Sequence, residues 1–140
     1  MPNKPPLTYN YVKLQRRVIT LVYLYGVSAL TPKITVTNAP WDTGAAISAI
    51  TPRIQQELEL VQISTKHIHG VTGTQKVPVV LLTLKLSNDL LKQNIEVAVC
   101  SFSNDVGMII GMSIITLGDF ALLHGNNHTE FSFTIPPRQN

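Results

Sequence analysis

Asp42-Thr43-Gly44-Ala45 puts a carboxylate, a hydroxyl and a glycine in succession where a strand-like pattern breaks off, with Trp41 before it and Ala46, Ile47 and Ile50 after. A carboxylate between such apolar flanks is expected to be partly desolvated. It would also lie close to backbone N–H groups that the glycine leaves open, a setting for acid or base chemistry. The commonest job of Asp before Thr-Gly is an Asx turn closing a strand, and on the tripeptide alone the turn is the better reading. The other reactive side chains are sparser. His67 and His69 fall on one face of a strand and His124 and His128 flank a Gly-Asn-Asn turn, with no Cys cluster and no helical His-x-x-x-His. Solvent-facing histidines near turns account for them, and no metal or other cofactor is expected. Cys100, the single cysteine, follows Val97-Ala98-Val99 and reads as an inert thiol at a strand end. It cannot form an internal disulfide, which fits a reducing compartment and a cytoplasmic location.

The elements around Asp42 are mostly strands. Val18 to Tyr25 is almost all β-branched or aromatic and is closed by Gly26. Lys33 to Asn38 alternates, and Pro40 and Gly44 mark where its pairing should stop. Thr51-Pro52 predicts a short helix through Leu58, with Thr51 as N-cap and Pro52 in the first position, where its missing N–H costs nothing. Val61 to Ile68 and Thr74 to Leu86 are strand-like runs either side of Gly70-Val71-Thr72-Gly73, a long hairpin with a mobile tip. Ile95 to Val99 and Met108 to Ile110 are further strands, and Ser113 is placed to cap a brief helix through Leu117. Phe120 to Leu123 and Thr129 to Ile135 form a last hairpin across Gly125-Asn126-Asn127. Trp41 is read as core packing. Residues 1–16 are expected to be an N-terminal arm outside the core, 17–135 the domain, and 136–140 a tail. Many short strands with one or two short helices make a mostly β protein, a small barrel or sandwich.

Length and composition bound the function. One hundred and forty residues suit one domain and exclude a two-lobed enzyme in a single chain. Charged residues make only 14%, so some apolar surface is expected to meet a partner. The net charge is +3, and apart from Arg16-Arg17 the basic residues are scattered, so nucleic acid is not an expected target. The stretch Val18 to Leu30 is too short to span a bilayer. Preceded by Lys13, Arg16 and Arg17 it imitates an export signal, but it starts late and no A-x-A site follows, so the strand is preferred.

Asp42-Thr43-Gly44-Ala45, the Gly70-Val71-Thr72-Gly73 hairpin, and Met108-Ile109-Ile110-Gly111 with Ile114 to Gly118 stand in an order and spacing that resembles the retropepsin-like aspartic proteases over about residues 17 to 135. The resemblance implies a closed β barrel and a homodimer in which each chain supplies one Asp-Thr-Gly loop. The other aspartates, Asp89, Asp105 and Asp119, stand in no such motif. It implies an endopeptidase without metal or covalent intermediate, acting on extended polypeptides. Two Asp42 carboxylates would share one proton; the ionised member activates water and the protonated one donates to the oxyanion. By position Thr43 would bond across the dimer, Gly44 would present backbone to carboxylate and substrate, and Ala45 would complete the loop. Gly70, Val71, Thr72, Gly73 and Thr74 would be the flap and Ile109 a pocket wall. Ile110 and Gly111 would form the strand crossing beneath the loop, Gly111 allowing close approach. If the dimer sheet is built from chain ends, Phe131 to Ile135 is the candidate interface strand.

The chain departs from that pattern where the retroviral members pair an Arg after the crossing glycine with an acid two residues beyond the catalytic glycine. Met112, Ser113 and Ala46 stand in those places. Both partners being absent strands no buried charge, and Ser113 remains able to cap its helix. A catalytically silent dimeric scaffold or peptide-binding module is the competing reading, with a non-enzymatic mobile-element or phage fragment as a third.

Overall fold

Alternating and β-branched segments are the raw material of this chain. The computed structural model describes residues 6–28, 32–70, 73–102 and 105–137, and in them these segments become ten strands with two short helices. In order they are β1 (Leu7–Tyr11), β2 (Val18–Tyr25), β3 (Lys33–Trp41), β4 (Ala49–Ile50), α1 (Pro52–Glu57), β5 (Gln62–Gly70) and β6 (Gly73–Leu86). There follow β7 (Leu91–Val99), β8 (Met108–Ile109), α2 (Met112–Ile115), β9 (Asp119–His124) and β10 (Thr129–Thr134). Residues 1–5 of the expected arm, Val71 and Thr72 of the hairpin tip, and residues 138–140 of the tail lie outside the described residues.

The strands make a seven-stranded sheet, ordered β3-β2-β6-β7-β4-β8 with β5 attached to β6, and a three-stranded sheet ordered β1-β10-β9. By strand pairing, neither sheet closes on itself among the described residues. Trp41 at the end of β3 and Ile110, the residue after β8, meet at an isolated parallel bridge. With two residues, β8 offers too little edge to pair along β3. Strand β3 runs through Pro40 to Trp41 rather than stopping at the proline. It is a terminal strand, where a missing N–H is tolerated.

Two expectations about the chain ends need correction. Residues 7–11, placed in an arm outside the core, form β1 along β10, from Leu7 opposite Phe133 to Tyr11 opposite Thr129. Leu7 is buried and Tyr9 and Tyr11 pack on the core. The Phe131 to Ile135 segment, proposed as an interface strand, is occupied within this chain. Strand β10 sits between β1 and β9, and Phe131 and Phe133 are fully buried. Its alternation announces one buried face, and this chain's own Trp41 supplies the cover. The Trp41 ring lies 4.9 Å from the rings of both Phe131 and Phe133, its indole N–H donates to Thr20 Oγ1 at 2.9 Å, and the cluster locks the two sheets together.

The helix starts differ in how they are satisfied. In α1, Thr51 accepts from the Ile54 N–H and Pro52 takes the first turn, as its sequence dictates. In α2, Gly111 is the N-cap and no side chain caps. Ser113 lies within the helix, and the Met112 and Ser113 N–H groups go instead to the carbonyls of Ala45 and Ala46, at 2.7 and 3.1 Å. No helix among the described residues is long and apolar enough to cross a membrane.

Candidate active site

The loop from Asp42 to Ser48 joins β3 to β4 and is held at both ends. Ahead of it, the Asp42 N–H donates to the Ile110 carbonyl at 2.7 Å and the Ile110 N–H donates to Pro40 O at 2.9 Å. Behind it, β4 lies between β7 and β8, with Ala49 opposite both Ala98 and Ile109. Within it, the Gly44 N–H donates to Asp42 Oδ1 at 2.8 Å and the Ala45 N–H to Asp42 O at 3.2 Å. The Asx turn and the presented carboxylate are therefore one arrangement: the turn fixes Oδ1, and Oδ2 has no hydrogen bond among the described residues.

The expected desolvation of Asp42 is not found in the single chain. Asp42, Thr43 and Gly44 are exposed, because strand alternation turns Trp41 inward and its neighbour outward, and Ile50 points into the core. The apolar flanks insulate the base of the loop and leave the carboxylate open.

Beneath the loop runs the segment from Ile110 to α2. A Cβ placed on Gly111 would come within 2.7 Å of the carbonyl oxygens of both Ala45 and Ile47, so only glycine permits this crossing. The contact is completed by hydroxyls. The Gly111 N–H donates to Ser48 Oγ at 2.9 Å, the Ser48 N–H donates to Ser113 Oγ at 3.0 Å, and the two hydroxyls lie 3.0 Å apart. Ser48 is fully buried. Neutral serines thus tie loop to helix in a chain that has Met112 and Ala46 at the two places of the retroviral ionic pair. Ser48 carried no sequence signal, since only the crossing brings it to Gly111.

Asp42 and Thr43 open onto a cleft of about 720 Å³. Pro40, Trp41, Phe102, Val106 and Ile109 wall it from the larger sheet and its loops, and Phe120 and Leu122 from the smaller. Val18, Ile19 and Asn38 complete the lining with Arg16 and Arg17, the one adjacent basic pair in the sequence, to which sequence reasoning gave no role in the site. Of the expected pocket residues, Ile109 lies in this wall. The expected flap is a ribbon in which β5 and the first half of β6 pair from Thr65 opposite Pro78 to Gly70 opposite Gly73, exposed over most of its length. Gly73 has a φ of 127°, and Thr74 Oγ1 bonds His69 Nδ1 at 2.9 Å.

No protein-family model matches the sequence, and no curated protein matches it either. Among solved structures, the chain is similar to a retropepsin-like aspartic protease from Rickettsia conorii, at a TM-score of 0.55 and 17% identity over 94% of each chain. The chain has the retropepsin-like fold. A second structure with that fold, the EIAV protease complexed with the inhibitor HBY-793, aligns at a TM-score of 0.51 and 21% identity, over 73% of this chain and 88% of the other. In the retropepsin-like fold of this chain, the sequence candidates from Asp42 to Ala45 and from Ile109 to Gly111 come together around one crossing. The described ends of the hairpin, Gly70, Gly73 and Thr74, stand on a separate ribbon.

Proposed function

We propose that this chain is half of a homodimeric aspartic endopeptidase, each protomer supplying Asp42 to one shared site. The observation that carries the reading is a carboxylate held by its own Asx turn, exposed at the mouth of an apolar cleft and backed by a glycine crossing. One carboxylate is half of what peptide hydrolysis by activated water needs. A second Asp42 within hydrogen-bond distance completes it, because two such groups cannot both ionise cheaply and so hold one proton between them. The ionised Asp42 takes a proton from water as the oxygen attacks the peptide carbonyl. The protonated Asp42 donates its proton to the developing oxyanion; as the gem-diol collapses, the first Asp42 passes the proton it took from water to the leaving amine and the second recovers its own from the diol hydroxyl. The Gly44 N–H, bonded to Oδ1, fixes the carboxylate without shielding Oδ2, which is left to face water and partner. Thr43 bonds across the dimer, Ile109 meets a substrate side chain, and Ile110 and Gly111 support the loop from below. The ribbon ending in Gly70, Val71, Thr72, Gly73 and Thr74 closes over an extended polypeptide by strand addition.

The test is incubation of the purified chain with an unstructured peptide library between about pH 4 and 7, wild type beside Asp42→Asn. Cleavage by the wild type alone, with specific activity falling on dilution through the dimer dissociation constant, is the expected result. Equal cleavage by both, or none by either while both are dimeric, refutes the enzyme and leaves a silent peptide-binding scaffold.

A further inference from the structure

The cleft beside Asp42 has apolar walls and carries more basic than acidic charge. Arg16 and Arg17 line it together with Trp41, Ile109, Phe102 and Phe120, and Asp42 is the one acid in the lining. The segment carrying both arginines is pinned at each side. The Gln15 N–H donates to the buried Thr129 Oγ1 at 2.9 Å, and the Tyr11 hydroxyl donates to Ile19 O at 2.9 Å. Position 46, the place where the family pattern supplies an acid, is alanine, so the Asp42 loop brings no second carboxylate. In the dimer, two Asp42 groups sharing one proton carry a single negative charge, whereas two chains bring four guanidiniums.

From this imbalance, and resting on the endopeptidase reading above, we propose that the cleft selects polypeptide segments carrying an acidic side chain next to large apolar ones, with Arg16 and Arg17 as the specificity-determining residues. Guanidinium groups suit this task, because their planar fork matches a carboxylate in a bidentate bond. The apolar walls take the neighbouring side chains and exclude water from part of the contact, which keeps the charge pairing from being wholly screened.

The experiment measures binding, so that it does not depend on turnover. The full chain carrying Asp42→Asn is titrated, by fluorescence anisotropy, into short fluorescein-labelled peptides with a central Leu-Phe pair and one Glu or Gln moved through the flanking positions. In at least one register the Glu peptide is expected to bind about three- to ten-fold tighter than its Gln twin at low salt. The difference closes near about 0.5 M salt and vanishes in the added Arg16→Gln/Arg17→Gln variant. The salt titration reads the same effect with both arginines in place, should the double variant fold poorly. Equal binding of Glu and Gln peptides in every register, no saturable binding of either, or a preference that survives loss of both guanidiniums overturns the proposal. A wild-type chain that binds acidic peptides but cleaves none sinks the endopeptidase reading and leaves the acidic preference standing. Cleavage without charge preference does the reverse.

Discussion

Replacing Gly111 by alanine tests the crossing on which the Asp42 loop rests. The new Cβ would lie 2.7 Å from the carbonyl oxygens of Ala45 and Ile47 and 2.9 Å from the Ile47 carbonyl carbon. All three are backbone atoms, so no side chain can swing aside. The Ala45 carbonyl is already engaged by the Met112 N–H at 2.7 Å, and the Gly111 N–H by Ser48 Oγ at 2.9 Å. Relief must therefore move loop or crossing strand, straining both bonds. Overpacking of this kind costs about 1 to 3 kcal/mol, and two weakened hydrogen bonds add about 1 kcal/mol each. A loss of about 3 to 5 kcal/mol lowers the melting temperature by roughly 10 to 20 °C in a domain of this size. Gly26→Ala is the control, since a Cβ there meets nothing closer than the Leu58 carbonyl oxygen at 3.9 Å. It is expected to fall within about 1 kcal/mol of the wild type. Urea unfolding of the three proteins, followed by circular dichroism, gives the comparison. Indistinguishable midpoints for Gly111→Ala and Gly26→Ala would refute the close crossing.

The serine network gives a second test. Ser48→Ala orphans the buried Gly111 N–H and Ser113→Ala orphans the Ser48 N–H, each costing about 1 to 2 kcal/mol. The double variant should lose less than the sum, because the hydroxyl pair is broken once, and strict additivity in a thermal-unfolding cycle would count against the network. Thr83 sits opposite an irregularity where the register shifts between Leu82 and Leu84 and Asn94 takes a φ of 58°, and its buried Oγ1 has no partner among the described residues. Thr83→Val should then raise stability by about 1 kcal/mol, and a lower melting temperature would show that the hydroxyl is satisfied. Burial pushes the Cys100 thiol above its ordinary 9.0. The folded chain holds that proton to higher pH than the unfolded one, so this group's contribution is complete below pH 9.0 and is lost as pH rises past it. Alkylation of Cys100 should accordingly be slower in the folded protein than in urea, and equal rates would contradict the burial.

Where local chemistry decides, the sequence is a sufficient guide. Val18 to Tyr25 is a strand because nearly every residue in it prefers one, and α1 begins at Pro52 because Thr51 caps it and proline needs no N–H there. The order of motifs around Asp42 was legible for the same reason: an Asx turn and a glycine crossing need particular residues at particular places. What was illegible depends on partners remote in sequence. Leu7, Tyr9 and Tyr11 alternate, but five residues among prolines do not announce a strand until β10 lies beside them. Ser113 looks like a cap, yet the carbonyls of Ala45 and Ala46 reach the helix start first and free its hydroxyl for Ser48. The alternation of Phe131 and Phe133 reveals a buried face without saying whether a second copy or Trp41 covers it. Arg16 and Arg17 are two unremarkable charges until the fold carries them to the cleft that holds Asp42.

The serine contact also separates two properties that an ionic pair would couple. An Arg–acid bridge between loop and helix depresses its acid's pKa, and its contribution is lost as pH falls through that depressed value. In a protease that works at mildly acid pH, the support of the catalytic loop would weaken where the carboxylate pair is itself being protonated. Here the support is amide to hydroxyl, hydroxyl to hydroxyl and amide to carbonyl, from Ser48, Ser113, Gly111, Ala45 and Ala46, and none of these groups titrates in that range. The serine contact is then indifferent to pH, unlike the Asx turn, in which the Gly44 N–H bonds the carboxylate itself. In the endopeptidase proposed above, the loss of charge from the carboxylate pair in acid is then not compounded by loss of the serine contact beneath the loop.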